Sequence, residues 1–297
     1  MIKRRLKFGL LFVIGVLLSV VAIALTTINV SPSAAQGVQM GVLPAKPQLG
    51  DTLSVLIRTE AAVTAPAVVM DRKQYPAFQI APNLWRSLIP TTPLDRPGDR
   101  KIQVSIDRQI QLLPVKVANR KFPTQNIWFD TKTNSIEASD YELSRVAQFK
   151  QLVTPQKFWQ GAFVKPNNGP ISAGFGIRRY YNGVFANDYY HRGVDYAGEV
   201  GSAVVAPAAG QVRLVGTVKQ GFRIHGNCIG IDHGQGVASI FLHLSRINVK
   251  EGDFVQAGQV VGGVGSTGAS TGPHLHWGLY VSGMSIDPTP WRFKGLD

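Results

Sequence analysis

From about Phe158 to the end, the chain is cut repeatedly by glycine into short apolar runs. These include "GSAVVAPAAGQVRLVG", "CIGIDHG", "GVASIFLHLS", "GDFVQAGQVVGGVG" and "HLHWGLYV". Runs this short, rich in Val and Ile and bounded by turn residues, suit strands and are too brief for helices. Residues 158–297 are thereby restricted to an antiparallel β-domain with little helix.

The preceding sequence is also β-prone. "TLSVLIRTE" and "KIQVSIDRQIQLLPVKV" alternate apolar and polar residues, so that Ile102, Val104 and Ile106 share a face. "APAVVM" and "FQIAP" are short apolar runs, and "TPLDRPGD" is turn chemistry. Residues 37–120 therefore read as a small N-terminal β-sandwich. It shows no catalytic cluster, which leaves it the roles of spacer, substrate-binding module or inhibitory pro-region. Between the two units, "SIEASDYELSRVAQFKQLVTP" places Leu143, Val146, Ala147 and Lys150 at helical spacing. Ser139 or Asp140 caps it and Pro155 is the expected stop. Residues 121–157 read as a helical linker, and the fold class is all-β. A chain of 297 residues has room for both cores.

Residues 1–36 combine a basic start, an apolar run from about Phe8 to Leu25, and small residues Ser33, Ala34 and Ala35. This is the layout of a secretory signal peptide, though its length also suits an uncleaved membrane anchor. Both readings export the remainder to the periplasm or the cell-wall side of the membrane. The only cysteine, Cys228, allows no intrachain disulfide and lies far from the export segment, which excludes a lipidated N-terminal cysteine. Lys and Arg number 31 against 18 Asp and Glu, a formal charge of +13. No basic run is interleaved with aromatics, which argues against a nucleic-acid partner. A diffuse positive charge suits an anionic wall polymer or membrane surface, or simply a soluble basic surface.

The chemistry is concentrated in a few histidines. In "GSTGASTGPHLHWGLY" (265–280), a strand would turn His274 and His276 one way and Leu275 and Trp277 the other. "HRGVD" sets His191 and Asp195 four apart, with Gly193 favouring a turn or short strand. His243, in "SIFLHLS", follows a strand between two leucines. Singly, each has a bland reading: a surface hydrogen-bonded pair, or a buried hydrogen-bonded histidine. A hydrolytic zinc needs about three protein ligands and an open position, and His and Asp are suitable donors. There is no H-E-x-x-H helix, so the glutamate base of that class is missing. Gly265, Gly268 and Gly272 permit positive φ and close backbone approach before His274. His225 and His233 read as structural, His233 lying at a turn with room for it beside the site. Tyr180, Tyr181, Tyr189 and Tyr190 belong to "RRYYNGVFANDYYHRG", expected as a loop beside the cleft.

Taken in order, "HRGVDYAGEVGSAVVAPAAGQV", "FLHLS", "VKEGDFVQAGQVVGGVGSTGASTGPHLHWGL" and "SIDPTPW" resemble the lysostaphin/LytM-type zinc endopeptidases of peptidoglycan, over roughly 170–291. The sandwich is loosely similar to immunoglobulin-like domains that precede some exported wall peptidases. The resemblance implies a C-terminal domain of the LytM, duplicated-hybrid-motif type. It implies one Zn2+ per chain on His191, Asp195 and His276, with His243 and His274 as catalytic, non-ligand histidines. Zinc would lower the pKa of its water from ~15.7 to ~7 and make it the nucleophile. One histidine would accept the proton while the other supports the oxyanion, in an order the residues leave open. The implied partners are peptidoglycan peptides, in cross-links or stems. A D-alanyl-diaminopimelate bond is preferred over a glycine bridge, because no wall-binding module is appended. The first alternative is a non-catalytic LytM-type regulator; such domains usually lose ligands, and here all five positions are intact. The second is a carrier domain, suggested by the echo between "VGSAVVAPAAGQV" and "EGDFVQAGQVVG". Lys250 lacks the setting of a biotinyl or lipoyl lysine, and a phosphocarrier would be cytoplasmic.

Overall fold

The computed structural model describes residues 37–61, 63–129 and 135–293. The export segment expected at 1–36 lies outside them. Among the described residues, no helix is long and apolar enough to cross a membrane.

Eight strands make the first unit: β1 (Val38–Leu43), β2 (Thr52–Thr59), β3 (Ala67–Met70), β4 (Lys73–Tyr75), β5 (Ala77–Ala81), β6 (Leu84–Pro90), β7 (Gly98–Ile106) and β8 (Gln109–Val117). They form two four-stranded sheets, ordered β1-β2-β6-β5 and β4-β3-β7-β8. Their inner faces share one core, in which Leu53, Val55, Ile57, Val68, Ile102 and Val104 are buried. The alternation seen in the sequence is the packing pattern of a sandwich: one face in, one face out.

The chain then enters β9 (Thr124–Ile127) and α1 (Asp140–Lys150), the one α-helix among the described residues. Ser139 is the N-cap, its hydroxyl accepting from the Glu142 backbone N–H at 3.1 Å. The helix ends at Lys150, short of Pro155.

The remaining strands are β10 (Ile171–Ala173), β11 (Arg178–Tyr181), β12 (Val184–Phe185), β13 (Val194–Ala197), β14 (Ala203–Val205), β15 (Gly210–Gly216) and β16 (Cys228–Gly234). They continue with β17 (Val237–Leu242), β18 (Arg246–Ile247), β19 (Phe254–Val255), β20 (Val260–Gly263), β21 (His274–Val281) and β22 (Met284–Ile286). A large sheet runs β10-β13-β21-β17-β16-β15-β19, with β22 also on β21. A small sheet, β14-β20-β18, covers part of it. Between them lies a core containing Val204, Val261, Ile229, Phe241, Leu275, Trp277 and Leu279. Among the described residues the fold is thus almost entirely β.

The other face of the large sheet is shared by two features. Over one part lies α1, whose Val146 and Phe149 are buried with Leu214, Ile240 and Tyr280. Over the other part lie His276 and Asp195. The strand period settles this division: Leu275, Trp277 and Leu279 point into the core, so His274, His276, Gly278 and Tyr280 point out of it. Burying each large apolar side chain in that row stabilises by ~1.5–3 kcal/mol, which holds the register of the histidines on the same strand.

"RRYYNGVFANDYYHRG" was expected as a loop; its first half, 178–185, is a hairpin, and 186–193 is a loop as expected. β11 pairs antiparallel with β12 through Asn182 (φ 48°) and Gly183 (φ 84°), two left-handed residues that match a tight two-residue turn. β9 adds to β11 in parallel, Thr124 opposite Arg178 through Ile127 opposite Tyr181. The segment expected to be a linker therefore supplies one edge of a three-stranded sheet beside the cleft.

Candidate metal centre and cleft

β21 is flanked by β13 and β17, which places Asp195 and Leu242 opposite His276 and Ala197 opposite His274. His191 sits just before β13, its backbone N–H donating to Ile177 and its carbonyl accepting from Gly176. Gly193 brings this segment against β21. A Cβ there would lie 2.4 Å from the Trp277 carbonyl oxygen and 2.8 Å from His276 Nε2, closer than any side chain tolerates. Glycine at this position is a packing requirement.

The result is a buried triad of donor atoms. His191 Nε2 lies 3.0 Å from Asp195 Oδ1 and 3.1 Å from His276 Nδ1, and His276 Nδ1 lies 2.8 Å from Asp195 Oδ1. His191 Nδ1 is 2.6 Å from the Gly174 carbonyl oxygen, which can only accept, so Nδ1 carries the proton. In the neutral ring, Nε2 is then a bare lone pair aimed at a carboxylate oxygen. Lone pairs facing one another in a buried space are satisfied by a shared proton or by a metal cation between them. Two imidazoles and one carboxylate are suitable zinc donors, and ligands ~2.0–2.2 Å from a tetrahedral ion are separated by roughly 3.3 Å. The observed separations are close to that. Burial alone would raise the Asp195 carboxyl, but a proton or cation shared with the facing His191 and His276 rings holds it well below the usual carboxylate range. Burial lowers His276 to about 4, which keeps it neutral and able to ligate at neutral pH. The Arg179 guanidinium approaches the second oxygen, Asp195 Oδ2, at 3.6 Å.

His243 and His274 stand beside the triad without joining it. Their rings are 4.8 Å apart between centroids, and His243 is 6.4 Å from His276. His243 Nδ1 donates to the Thr267 carbonyl at 2.8 Å, and His274 Nδ1 to the Gly272 carbonyl at 2.8 Å. Both rings thereby leave Nε2 free. His243 has φ 64°, a left-handed conformation rare outside glycine and concentrated at functional sites. It turns the ring out of line with β17, away from the strand's alternation. Burial, then the neighbouring His274 and His276, lowers His243 to about 3. His274 is half-buried and closer to solvent.

The stretch 265–272 explains part of this placement. Gly265 passes so close to His243 that a Cβ would lie 2.6 Å from the His243 carbonyl oxygen. Of Gly265, Gly268 and Gly272, only Gly268 has a positive φ, 76°. Close approach therefore dominates over backbone freedom at Gly265.

The other residues singled out in the sequence fall as follows. Tyr181 and Tyr189 line the cleft, whereas Tyr180 packs its ring at a tilt against Phe185 and Tyr190 is buried with its hydroxyl donating to the Ser285 carbonyl. His233 is fully buried on the opposite face, between Ala209 and Ser239, and is structural as read but not beside the site. His225, also read as structural, lines the cleft. Arg179, Glu142 and the wall from Gln125 to Phe129 were not picked out; the Asn182-Gly183 turn was the signal that would have put Arg179 on a strand.

Residues 189–288 match the model of peptidase family M23. The chain carries an M23 peptidase domain. Over 118 residues, covering 40% of this chain, it is 40% identical to the DD-carboxypeptidase/endopeptidase Mpg of Neisseria meningitidis, of which that stretch is 26%. Over 123 residues, again 40% of this chain, it is 40% identical to lysostaphin of Staphylococcus staphylolyticus, of which it spans 25%. The chain thus spans about a quarter of the length of these curated relatives. In structure it is similar to a Pseudomonas aeruginosa chain described as peptidase M23, with a TM-score of 0.62 and 26% identity, covering 83% of this chain and 95% of that one. The last likeness extends well beyond the M23 domain and includes much of the N-terminal region.

Proposed function

We propose that this protein is an exported zinc endopeptidase that hydrolyses peptide cross-links or stems of peptidoglycan. The reading is carried by one observation: the bare His191 Nε2, the Asp195 carboxylate and His276 Nδ1 converge within 3.1 Å of one another at the floor of a cleft. These three residues would hold the metal. When bound there, zinc supplies a Lewis acid and lowers the pKa of water to ~7.

The histidines beside it then divide the proton work. His243 Nε2 is unprotonated and faces the cleft, in position to accept a proton from the attacking water. Its burial opposes a lasting charge, so the proton is passed on to the departing amine nitrogen. His274, nearer solvent, is placed to stabilise the oxygen that gains charge on the peptide carbonyl. Arg179 and Arg192 add positive charge to the cleft wall and favour a substrate carrying carboxylates. Among the described residues, those lining the cleft lie between 125 and 280, and none belongs to the sandwich at 37–120. That favours a docking or spacer role over an inhibitory one.

Purified peptidoglycan digested by the native chain and by His276→Ala, with new termini identified by mass spectrometry, tests the reading. The native protein should release new amino and carboxyl termini within the peptides, and His276→Ala should lose both zinc and hydrolysis. Unchanged zinc content and unchanged digestion in His276→Ala would overturn it.

A further inference from the structure

Glu142 is a carboxylate with no solvent exposure, on a helix that lies outside the stretch matching the M23 family. Its surroundings are unusually well made. Oε1 accepts from the His225 backbone N–H at 2.7 Å and the Ile224 N–H at 3.1 Å, and contacts His225 Nδ1 at 2.6 Å. Oε2 accepts from the Arg223 N–H at 2.9 Å. Three consecutive backbone amides and an imidazole converge on one side chain, an arrangement that binds a carboxylate and fits no neutral group equally well. Ser139-Asp140-Tyr141-Glu142 has the pattern of a capping box, in which the glutamate would return to the cap. Here Ser139 caps, while the glutamate is diverted to the loop.

That loop touches the catalytic histidine directly. The His225 carbonyl accepts from the His243 backbone N–H at 3.1 Å, and the Ile224 carbonyl from Ala269 at 3.0 Å. Asn227 accepts from Leu244 N–H at 2.9 Å and donates its own N–H to Thr267 Oγ1 at 2.9 Å. Thr267 is the residue whose carbonyl holds His243 Nδ1. Between them Gly226 and Gly268 meet with no room for side chains; a Cβ on Gly226 would lie 2.4 Å from the Thr267 carbonyl oxygen. Residues 223–227 are thus a hub joining the left-handed His243 to the glycine-rich stretch before His274.

We propose that Glu142 is a positioning residue of the active site, fixing His243 and the 267–272 stretch through the 223–227 loop. The helix is therefore a working part of the peptidase. Glutamine cannot replace the carboxylate, because both oxygens accept N–H bonds and one end of an amide would present N–H to N–H. The inference rests on the peptidase reading for its kinetic consequence.

The test is Glu142→Gln in the full chain, measured for zinc content, for kcat and KM separately on a soluble cross-linked peptidoglycan peptide, and by nitrogen NMR of the histidine rings. The expected result is retained zinc, a KM within about threefold of native, and a kcat lowered ~10–100-fold, as for other outer-shell supports. The His243 ring resonances should move while those of His191 and His276 stay. A native kcat in the zinc-loaded variant, or a loss of kcat that only parallels a loss of zinc, overturns the proposal. So does an unmoved His243 ring. The NMR readout stands even if the native chain cleaves nothing, an outcome that would sink the peptidase reading alone. Should Glu142→Gln not fold, Glu142→Asp, which keeps the charge but withdraws it by one methylene, is read by the same criteria.

Discussion

At the scale of single residues, Gly193 is the tightest point of the site. Gly193→Ala must push aside either the Trp277 carbonyl or the His276 ring, 2.4 and 2.8 Å from the new Cβ. We expect zinc affinity to fall ~10–100-fold, measured by competition with a chelator; native affinity would show that the ring has room to move. His243 makes a complementary case. Asparagine tolerates the left-handed φ of 64° but cannot relay a proton. His243→Asn should keep its zinc and lose ~10²–10⁴ in kcat, so a variant of native activity would remove His243 from the chemistry. Cys228 is buried, and burial pushes its thiol up, so a thiol reagent should not label the folded chain. The donor and histidine residues were legible in the sequence because their chemistry lies in residue type and even spacing. Gly193 was legible only as a turn. Its true constraint is the backbone of β21, some eighty residues later in the chain.

At the scale of elements, α1 depends on a glycine beneath it. A Cβ on Gly230 of β16 would lie 2.6 Å from the Phe149 ring and 2.8 Å from Leu214 Cβ. Gly230→Ala should cost ~1–3 kcal/mol in urea unfolding through overpacking, with a neutral result showing that Phe149 can withdraw. The helix also imposes a pH dependence. Burial would raise Glu142, but bonds from the His225 ring and the His225 and Arg223 amides outweigh it, lowering the group from 4.5 to about 2. A depressed carboxylate stabilises above its unfolded value and loses that contribution as pH falls through the folded one. Stability should therefore decline between pH 4.5 and 2, and Glu142→Gln should flatten that part of the curve in thermal melts; an unaltered slope would show that other carboxylates set it. The helix itself was legible from the spacing of Leu143, Val146 and Ala147. Its destination was not, because an apolar stripe demands a partner without naming it. Leu143 in fact stays exposed and lines the cleft, while Val146 and Phe149 do the packing.

At the scale of the whole molecule, the sandwich and the M23 domain are joined by buried and half-buried polar contacts. Arg86 is buried, stacks near the Trp159 ring and donates to Gln235 Oε1 at 2.9 Å. Arg120 pairs with Asp287 at 2.8 Å, and the Asp287 N–H donates to the Gly50 carbonyl. Arg86→Ala should destabilise by about 2–4 kcal/mol by stranding this interface, seen as a lowered urea midpoint; no change would mean that the two units are held by other contacts. The alternating strands made a sandwich followed by a glycine-rich β-domain readable in outline. Their docking was not readable, since it depends on side chains 149 positions apart in the chain. The parallel pairing of β9 with β11 has a practical corollary for anyone trimming the gene. Residues 189–288 recognise the family, yet a fragment cut to them would discard the Gly174 oxygen that orients His191, the strand that walls the cleft and the helix behind His243. A recombinant catalytic fragment worth assaying begins upstream of Thr124.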